Sequence, residues 1–545
     1  MKRIFSIFLV ALSLLLLGVK PAVGQSDNFN FLKNLDIQYN ILRILSTDFV
    51  DSIKYDKVIL KGINSMLESL DPYTEYIPAE NKPEIDLITT SSYDGIGSVI
   101  RKVDSLGVII SQPYANSPAI KYGLETGDII LEIDGADTKP LSSDECSKRM
   151  RGPSGSIVKF KVKKGRGGEV KDIEVVRGKV HTPDISYAGI LYNLKGEKTS
   201  YGYISLGGFT LGGGEEFRNK IKELKDAGAQ KIIVDLRGNG GGIMDEAVDV
   251  VSAFVPKGSL VVTSKGRGKG STFEYSTTKE PIDTQIPVMI LTNSSSASSS
   301  EIVAGALQDW DRATIMGTRT FGKGLVQSFR NVGYDGNLKL TISKYYTPSG
   351  RCIQAMDYSK RNEDGSVSSV PDSLKKEFKT LVKGRSVYDG GGITPDSTIT
   401  SDRLSRTLYS LVMNGVLDDY AVEFYKKNKE IGDLRTFELN DKQYEDFIKY
   451  VQKQNIDIRS GVEVAYDQMI EMAKSENLYE IDKEYYETLA KRVKLSKPDI
   501  LRACKKEIAP VLEEEIATRY GFTEGGYLNG IKNDKTLWKA IDAWK

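Results

Sequence analysis

The chain has 545 residues, 40% hydrophobic and 27% charged, with 75 Lys and Arg against 74 Asp and Glu. A net charge of +1 argues against nucleic acid or an anionic membrane as main partner, and the length predicts about three or four domains. A single histidine, His181, and three widely spaced cysteines, Cys146, Cys352 and Cys504, exclude a His-rich metal centre and give neither zinc-ligand spacing nor a disulfide framework.

Met1-Lys-Arg3 precedes an apolar run from Ile4 to Val19 and then Ala22-Val-Gly24. This pattern predicts a secretory signal peptide over 1–24, cleaved after Gly24. The run is short for a membrane span. No cysteine lies near the cleavage site to carry a lipid anchor, so an exported, periplasmic chain is expected. Residues 25–91 form the N-terminal region. Within it, 28–90 reads as helical, with Ile59, Ile63, Met66, Leu67 and Leu70 on one face and Pro72 as a stop.

Residues 92–178 carry Asp94-Gly-Ile-Gly97, Ser117-Pro-Ala119 and Gly127-Asp-Ile-Ile-Leu-Glu-Ile-Asp-Gly135, then alternating strands at Val158–Val162 and Ile173–Val176. The glycines at 95 and 97 allow backbone N–H groups to converge on an anion, and the strand edge beside them can pair with an extended peptide.

Residues 179–400 alternate strands and helices, which predicts an α/β core. Tyr201–Leu206 is a strand, Glu215–Ala227 a helix and Lys231–Leu236 a buried strand. Arg237-Gly-Asn-Gly-Gly-Gly242 then turns into a helix over 243–254. The apolar run Pro287–Asn293 stops at Ser294-Ser-Ser-Ala-Ser-Ser-Ser300, and a helical pattern follows with Ile302, Ala306 and Trp310 on one face. Taken alone, the serine block reads as a solvated loop. Its place at a helix start also offers N-caps and a positive dipole end that favours an oxyanion. A further strand covers 337–345. Residues 401–545 read as a helical extension, with Tyr444, Phe447, Ile448 and Val451 marking one amphipathic helix and Trp538 with Ile541 another.

Lys323, in Phe321-Gly-Lys-Gly324, lies 25 residues after Ser298. A serine hydroxyl needs a base to become a nucleophile. A lysine can serve when its pKa falls by roughly 3 units from ~10.4, which apolar surroundings can bring about. Phe321, Leu325 and Val326 flank Lys323. If 323, 325 and 327 share a strand face, Gln327 can accept a lysine N–H without adding charge. A Ser-His-Asp triad would have to use His181, which reads as linker packing, and no Gly-x-Ser-x-Gly elbow is present.

With these motifs the chain resembles the carboxyl-terminal processing (tail-specific) serine peptidases. Ser296-Ala-Ser-Ser-Ser-Glu-Ile302 is similar to their serine motif except at Ser299, where the family usually has alanine. Phe-Gly-Lys-Gly, Val-Gln, Tyr345-Tyr-Thr-Pro-Ser-Gly-Arg351 and Gly390-Gly-Gly-Ile-Thr-Pro-Asp396 continue the match. The resemblance implies a PDZ domain over 92–178 with Asp144–Met150 as its groove helix, and a Ser-Lys protease core over 179–400. It gives Ser298 as nucleophile, Lys323 as base and Gln327 as the residue that orients the lysine. Gly241 and Ser299 would supply oxyanion N–H groups, and Gly95, Ile96 and Gly97 would bind the substrate's terminal carboxylate. The expected fold class is therefore multidomain α/β: helical N-terminal segment, PDZ domain, α/β core and helical C-terminal extension. The expected partners are proteins with free carboxyl termini. No cofactor or metal is called for, and a homo-oligomer or an activating adaptor stays open.

Two rival readings remain. One is a catalytically inactive PDZ scaffold. The other is nucleotide binding through Gly317-Thr-Arg-Thr-Phe-Gly-Lys323, a near match to a phosphate loop that has Gly324 where a Ser or Thr would hold magnesium.

Overall fold

The computed structural model describes residues 23–81, 89–103, 107–165, 168–193, 195–362 and 366–544. Apart from Val23 and Gly24, the expected leader lies outside the described residues. The chain divides into two compact units, one ending at Tyr76 and one beginning at Ile77.

The first unit contains the helices Val23–Asp48 and Tyr55–Glu68. The single helical reading of 28–90 is thus corrected: the segment breaks between these helices, and a strand, Glu75–Ile77, and a 3-10 turn, Ala79–Asn81, follow them. Proline biases the residue before it away from helical dihedrals. Asp71, ahead of Pro72, instead accepts the N–H groups of Tyr73 and Thr74 on Oδ1, both at 2.8 Å.

In the second unit, five antiparallel strands run in the order Ser98–Val103, Gly107–Pro113, Ile129–Ile133, Ile157–Lys163, Val170–Val176. Val108, Ile110, Ile130, Val158, Phe160 and Val162 alternate inward to form their core, and Cys146 packs there as a small apolar group. Ser98–Val103 ends the sheet order. The helix Ser143–Met150 starts from a reciprocal cap between Ser142 and Glu145.

The central sheet has six strands in the order Ile185–Tyr192, Lys198–Leu206, Lys231–Asp235, Val288–Thr292, Ala313–Gly317, Ser397–Thr398. The first pair is antiparallel and the rest are parallel. Its inner strands are apolar on both sides, as a sheet covered on both faces requires. Ile232, Val234 and Ile290 face the helices Gly213–Asp226, Met244–Val251 and Ser299–Asp309. Ile233, Met289 and Leu291 face the last helix, Lys535–Ala543, through Leu537, Ala540 and Ile541. The helical extension therefore has two parts. Its earlier helices enclose their own core around Leu411, Phe447, Leu501 and Leu512, and its last helix forms the second cover of the central sheet.

A separate antiparallel sheet pairs Leu325–Gly333 with Gly336–Tyr346, and the latter with Leu260–Gly266. Among the described residues no helix is long and apolar enough to cross a membrane.

Candidate active site

The parallel strands Lys231–Asp235 and Val288–Thr292 are neighbours, so the loops that follow them meet. One loop is the glycine run 237–242 and the other is the serine block. Three serine hydroxyls of the block join the two. Ser296 Oγ donates to the Leu236 carbonyl at 2.7 Å, Ser300 Oγ to the Asn239 carbonyl at 2.9 Å and Ser299 Oγ to the Gly242 carbonyl at 2.8 Å. Ser294 and Ser295 are exposed. Ser298 is half-buried and faces a cleft of about 830 Å³.

Ser298 sits at the N-cap of the helix Ser299–Asp309 with φ 56° and ψ −116°. Positive φ in a non-glycine residue costs on the order of 1–3 kcal/mol and persists only when the surroundings over-determine it. Here the Ser298 N–H donates to Glu301 Oε2 at 3.0 Å, and the Ser298 carbonyl accepts from Glu301 N at 2.8 Å, Ile302 N at 3.0 Å and the Tyr345 hydroxyl at 3.1 Å. The helix behind it is buried on every side, not on one face alone, because sheet and flanking loops enclose it.

Glu301 is 0% exposed and accepts two hydrogen bonds on each oxygen. Oε1 takes the Thr320 hydroxyl at 2.5 Å and Gly322 N–H at 2.7 Å; Oε2 takes Lys323 N–H at 2.8 Å and Ser298 N–H. Burial raises its pKa above the ordinary carboxylate value, and these donors oppose the rise. The near phosphate loop thus aims two of its N–H groups at a buried carboxylate, and a strand follows it where a phosphate loop needs a helix.

Lys323 is half-buried and lines the cleft. The shared strand face of 323, 325 and 327 is corrected, since the strand starts at Leu325 and a register shift falls between Val326 and Gln327. Of the expected apolar flank, Leu325 is buried and Phe321 is 52% exposed. Gln327 also lines the cleft, and its Nε2 donates to Thr341 Oγ1 at 3.2 Å, which leaves the amide oxygen as an acceptor.

Gly241 has φ +103°, and a Cβ there would lie 2.7 Å from Ser298 Cβ and 3.0 Å from Ser299 N. Only glycine allows the loop to lie this close. Its N–H, expected to face an oxyanion, donates instead to Asn239 Oδ1 at 2.8 Å. Asn239 Nδ2 donates to the Leu206 carbonyl at 2.7 Å, which fixes the orientation of that amide.

Ser298, Ser299, Lys323, Gln327 and Gly241 therefore line one cleft. Ile96 lines a different groove, of about 340 Å³, with Ser98, Ile100, Ser147 and Met150. Gly95 pairs with Gly178, and Gly97, at φ +76°, turns the chain into the edge strand. Thr182 lines both cavities, so groove and cleft adjoin. His181 is exposed, its Nδ1 3.3 Å from Ser92 Oγ on a two-stranded ribbon, outside the cleft. Asn239, Glu301 and Tyr345 carry geometry that sequence reasoning did not assign. For Glu301 a signal existed, its spacing of three from Ser298; nothing local marks the other two.

Comparison with known proteins gives three matches along the chain: "PDZ domain" over residues 84–163, "Peptidase family S41" over 200–359, and "Probable PDZ-protease, C-terminal helical domain" over 407–543. A carboxy-terminal-processing protease of Bartonella bacilliformis is 33% identical over 359 residues, covering 65% of this chain and 80% of that one. A protein of Staphylococcus aureus strain MRSA252, described as a probable CtpA-like serine protease, is 32% identical over 326 residues; the match covers 59% of this chain and 62% of the staphylococcal one. Among solved structures, a photosystem II D1 C-terminal processing protease aligns at 22% identity over 66% of this chain and 86% of that chain, with a TM-score of 0.36.

Proposed function

Because the chain belongs to the carboxy-terminal-processing serine peptidases of family S41, with a PDZ domain, we propose that it is an exported endopeptidase that cuts proteins near their carboxyl termini with a Ser298–Lys323 dyad. The observation that carries this reading is the convergence of Ser298, Lys323 and Gln327 on one cleft from a serine turn, a glycine-rich loop and a strand. Neutral Lys323 takes the Ser298 hydroxyl proton as Oγ attacks the scissile carbonyl, then returns it to the leaving amine. The Gln327 amide oxygen receives a lysine N–H and aims the amine. The Ser299 N–H, next to the nucleophile, supports the developing oxyanion. Gly241 joins it once its N–H leaves Asn239 Oδ1.

In the same reading the PDZ domain, taken as residues 92–178, selects or gates substrate tails. Its edge strand pairs with an extended peptide, and the backbone at Gly95, Ile96 and Gly97 receives the terminal carboxylate. The shared wall at Thr182 gives the bound tail a short path to the protease core, 179–400. Residues 1–24 act as the export signal, 25–91 as the helical N-terminal region and 401–545 as the C-terminal extension.

The test is turnover of a protein with an apolar free carboxyl terminus, together with labelling by a serine-reactive phosphonate. Ser298→Ala should fold and abolish turnover, a loss on the order of 10⁶-fold, and Lys323→Ala and Lys323→Arg should fold and stop cleavage, arginine included because it does not deprotonate. Retained cleavage in either lysine variant rejects the dyad, and a wild-type chain that neither cleaves nor labels supports the inactive scaffold.

A further inference from the structure

The glycine loop 237–242 is held at its first residue by a segment that lies 297 positions away in the sequence. Arg237 Nη2 meets Asp534 Oδ2 at 2.6 Å, and its Nη1 lies 3.3 Å from Asp534 Oδ1. On its other side Nε bonds Asp235 Oδ1 at 2.9 Å and Nη2 bonds Asp235 Oδ2 at 2.5 Å. The guanidinium is therefore forked between two carboxylates, one from the central sheet and one from the turn that starts the last helix. Two planar pairs fix a guanidinium in orientation as well as place. Asp235 is itself held by the Tyr203 hydroxyl at 2.7 Å.

Two residues beyond Arg237, the Asn239 carbonyl accepts from Ala297 N at 3.0 Å and from Ser300 Oγ, on either side of Ser298. The Asn239 side chain holds the Gly241 N–H. We propose that Asp534 is a positioning residue for catalysis, through which the C-terminal helical extension holds the Arg237–Gly242 loop in register with Ser298. This rests on the peptidase reading above and assigns the last helix a part in the active site beyond covering the sheet.

The chain allows the ion pair to be separated from the fold. Asp534 Oδ1 also caps the last helix by accepting Leu537 N–H at 2.9 Å. Asparagine is an equally good N-cap, so Asp534→Asn keeps the cap and removes the charge, while Asp235 still neutralises Arg237.

The experiment compares the full mature chain with Asp534→Asn, Asp534→Glu and Asp534→Asn in an Arg237→Gln background. The readouts are kcat and KM on a protein with an apolar free carboxyl terminus, the rate of phosphonate labelling at Ser298, and Tm. Asp534→Asn should lower kcat and the labelling rate by about tenfold with KM unchanged and only a small fall in Tm from the N–H₂ group that then faces Arg237, short of the ~100-fold that a 1 Å misplacement of reacting groups costs. Asp534→Glu should recover part of the loss, and the Asn change should add nothing once Arg237 is replaced. Unchanged or raised kcat in Asp534→Asn, or the same loss with and without Arg237, overturns the inference. A wild-type chain that is not labelled at Ser298 overturns the peptidase reading and this inference with it.

Discussion

The backbone N–H groups of Ser298 and Lys323 end on the same oxygen, Oε2 of Glu301, at 3.0 and 2.8 Å. Residues 25 positions apart are thus fixed relative to one another by a buried side chain that touches both backbones. Glu301→Gln replaces one acceptor oxygen with an N–H₂ group that faces donors. Two of the four hydrogen bonds should fail, at about 1–3 kcal/mol for buried groups left unpaired. Urea unfolding should show that loss, and kcat should fall more than KM rises. A variant with wild-type midpoint and wild-type kcat would reject the role.

Gly241 and Ser299 should respond in opposite ways to alanine. At Gly241 a Cβ would stand 2.9 Å from the Ala297 carbonyl oxygen, on a backbone at φ +103°. Gly241→Ala should push the loop off Ser298 and abolish turnover, with roughly 1–3 kcal/mol of backbone strain besides. Ser299→Ala removes only the Oγ bond to the Gly242 carbonyl, a stability loss of about 1 kcal/mol, and keeps the backbone N–H. Most of the cleavage and all of the Ser298 labelling should survive. Labelling lost without Ser299 and kept without Ser298 would move the nucleophile by one residue.

Gly97 lies where a Cβ would fall 2.5 Å from Ser117 Cβ, which keeps the loop at 95–97 tight against the N-cap of the helix Pro118–Lys121. If that loop receives a charged terminus, amidation of the substrate tail should weaken binding by roughly fivefold to tenfold, the difference between a charge-assisted and a neutral hydrogen bond. Binding of acid and amide peptides to the full chain, followed by fluorescence anisotropy, measures this. Equal affinities would leave the PDZ domain a structural or regulatory part.

Glu514 borders a cleft of about 500 Å³ with Asp534. Desolvation within the cleft, then the neighbouring Glu515 and Asp534, raise its pKa from 4.5 to about 7, although the side chain keeps contact with solvent, which screens part of the effect. An acid whose pKa is higher folded than unfolded binds more protons in the folded state. Its contribution is present below 4.5 and is lost as pH rises through about 7. Glu514→Gln should therefore flatten the fall in stability over that window. Denaturant midpoints at several pH values test it, and identical slopes for wild type and variant would reject it.

Local patterns were enough to place most elements. The stretch from Lys231 to Leu236 illustrates why: Lys231–Asp235 is a strand because Ile232, Ile233 and Val234 are apolar in succession, and such a run suits a sheet covered on both sides. Gly-Asn-Gly-Gly-Gly after it had to be a loop, and the order of serine block, lysine and glutamine follows from the motifs alone. The sequence by itself thus determined which groups are available and in which order the chain presents them. Their relations were decided by tertiary structure. The positive φ of Ser298 depends on Glu301 and on the Tyr345 hydroxyl, 47 residues away. The shift at Val326 and Gln327 arises in pairing with Gly336–Tyr346. The link from Arg237 to Asp534 spans 297 positions. Periodicity and propensity report interactions within a few residues. The Glu301 cap is local and left its mark in the spacing, but the Tyr345 contact, the register of the hairpin and the Arg237–Asp534 pair form only when separate segments close a loop and pack, which no single helical or strand period encodes.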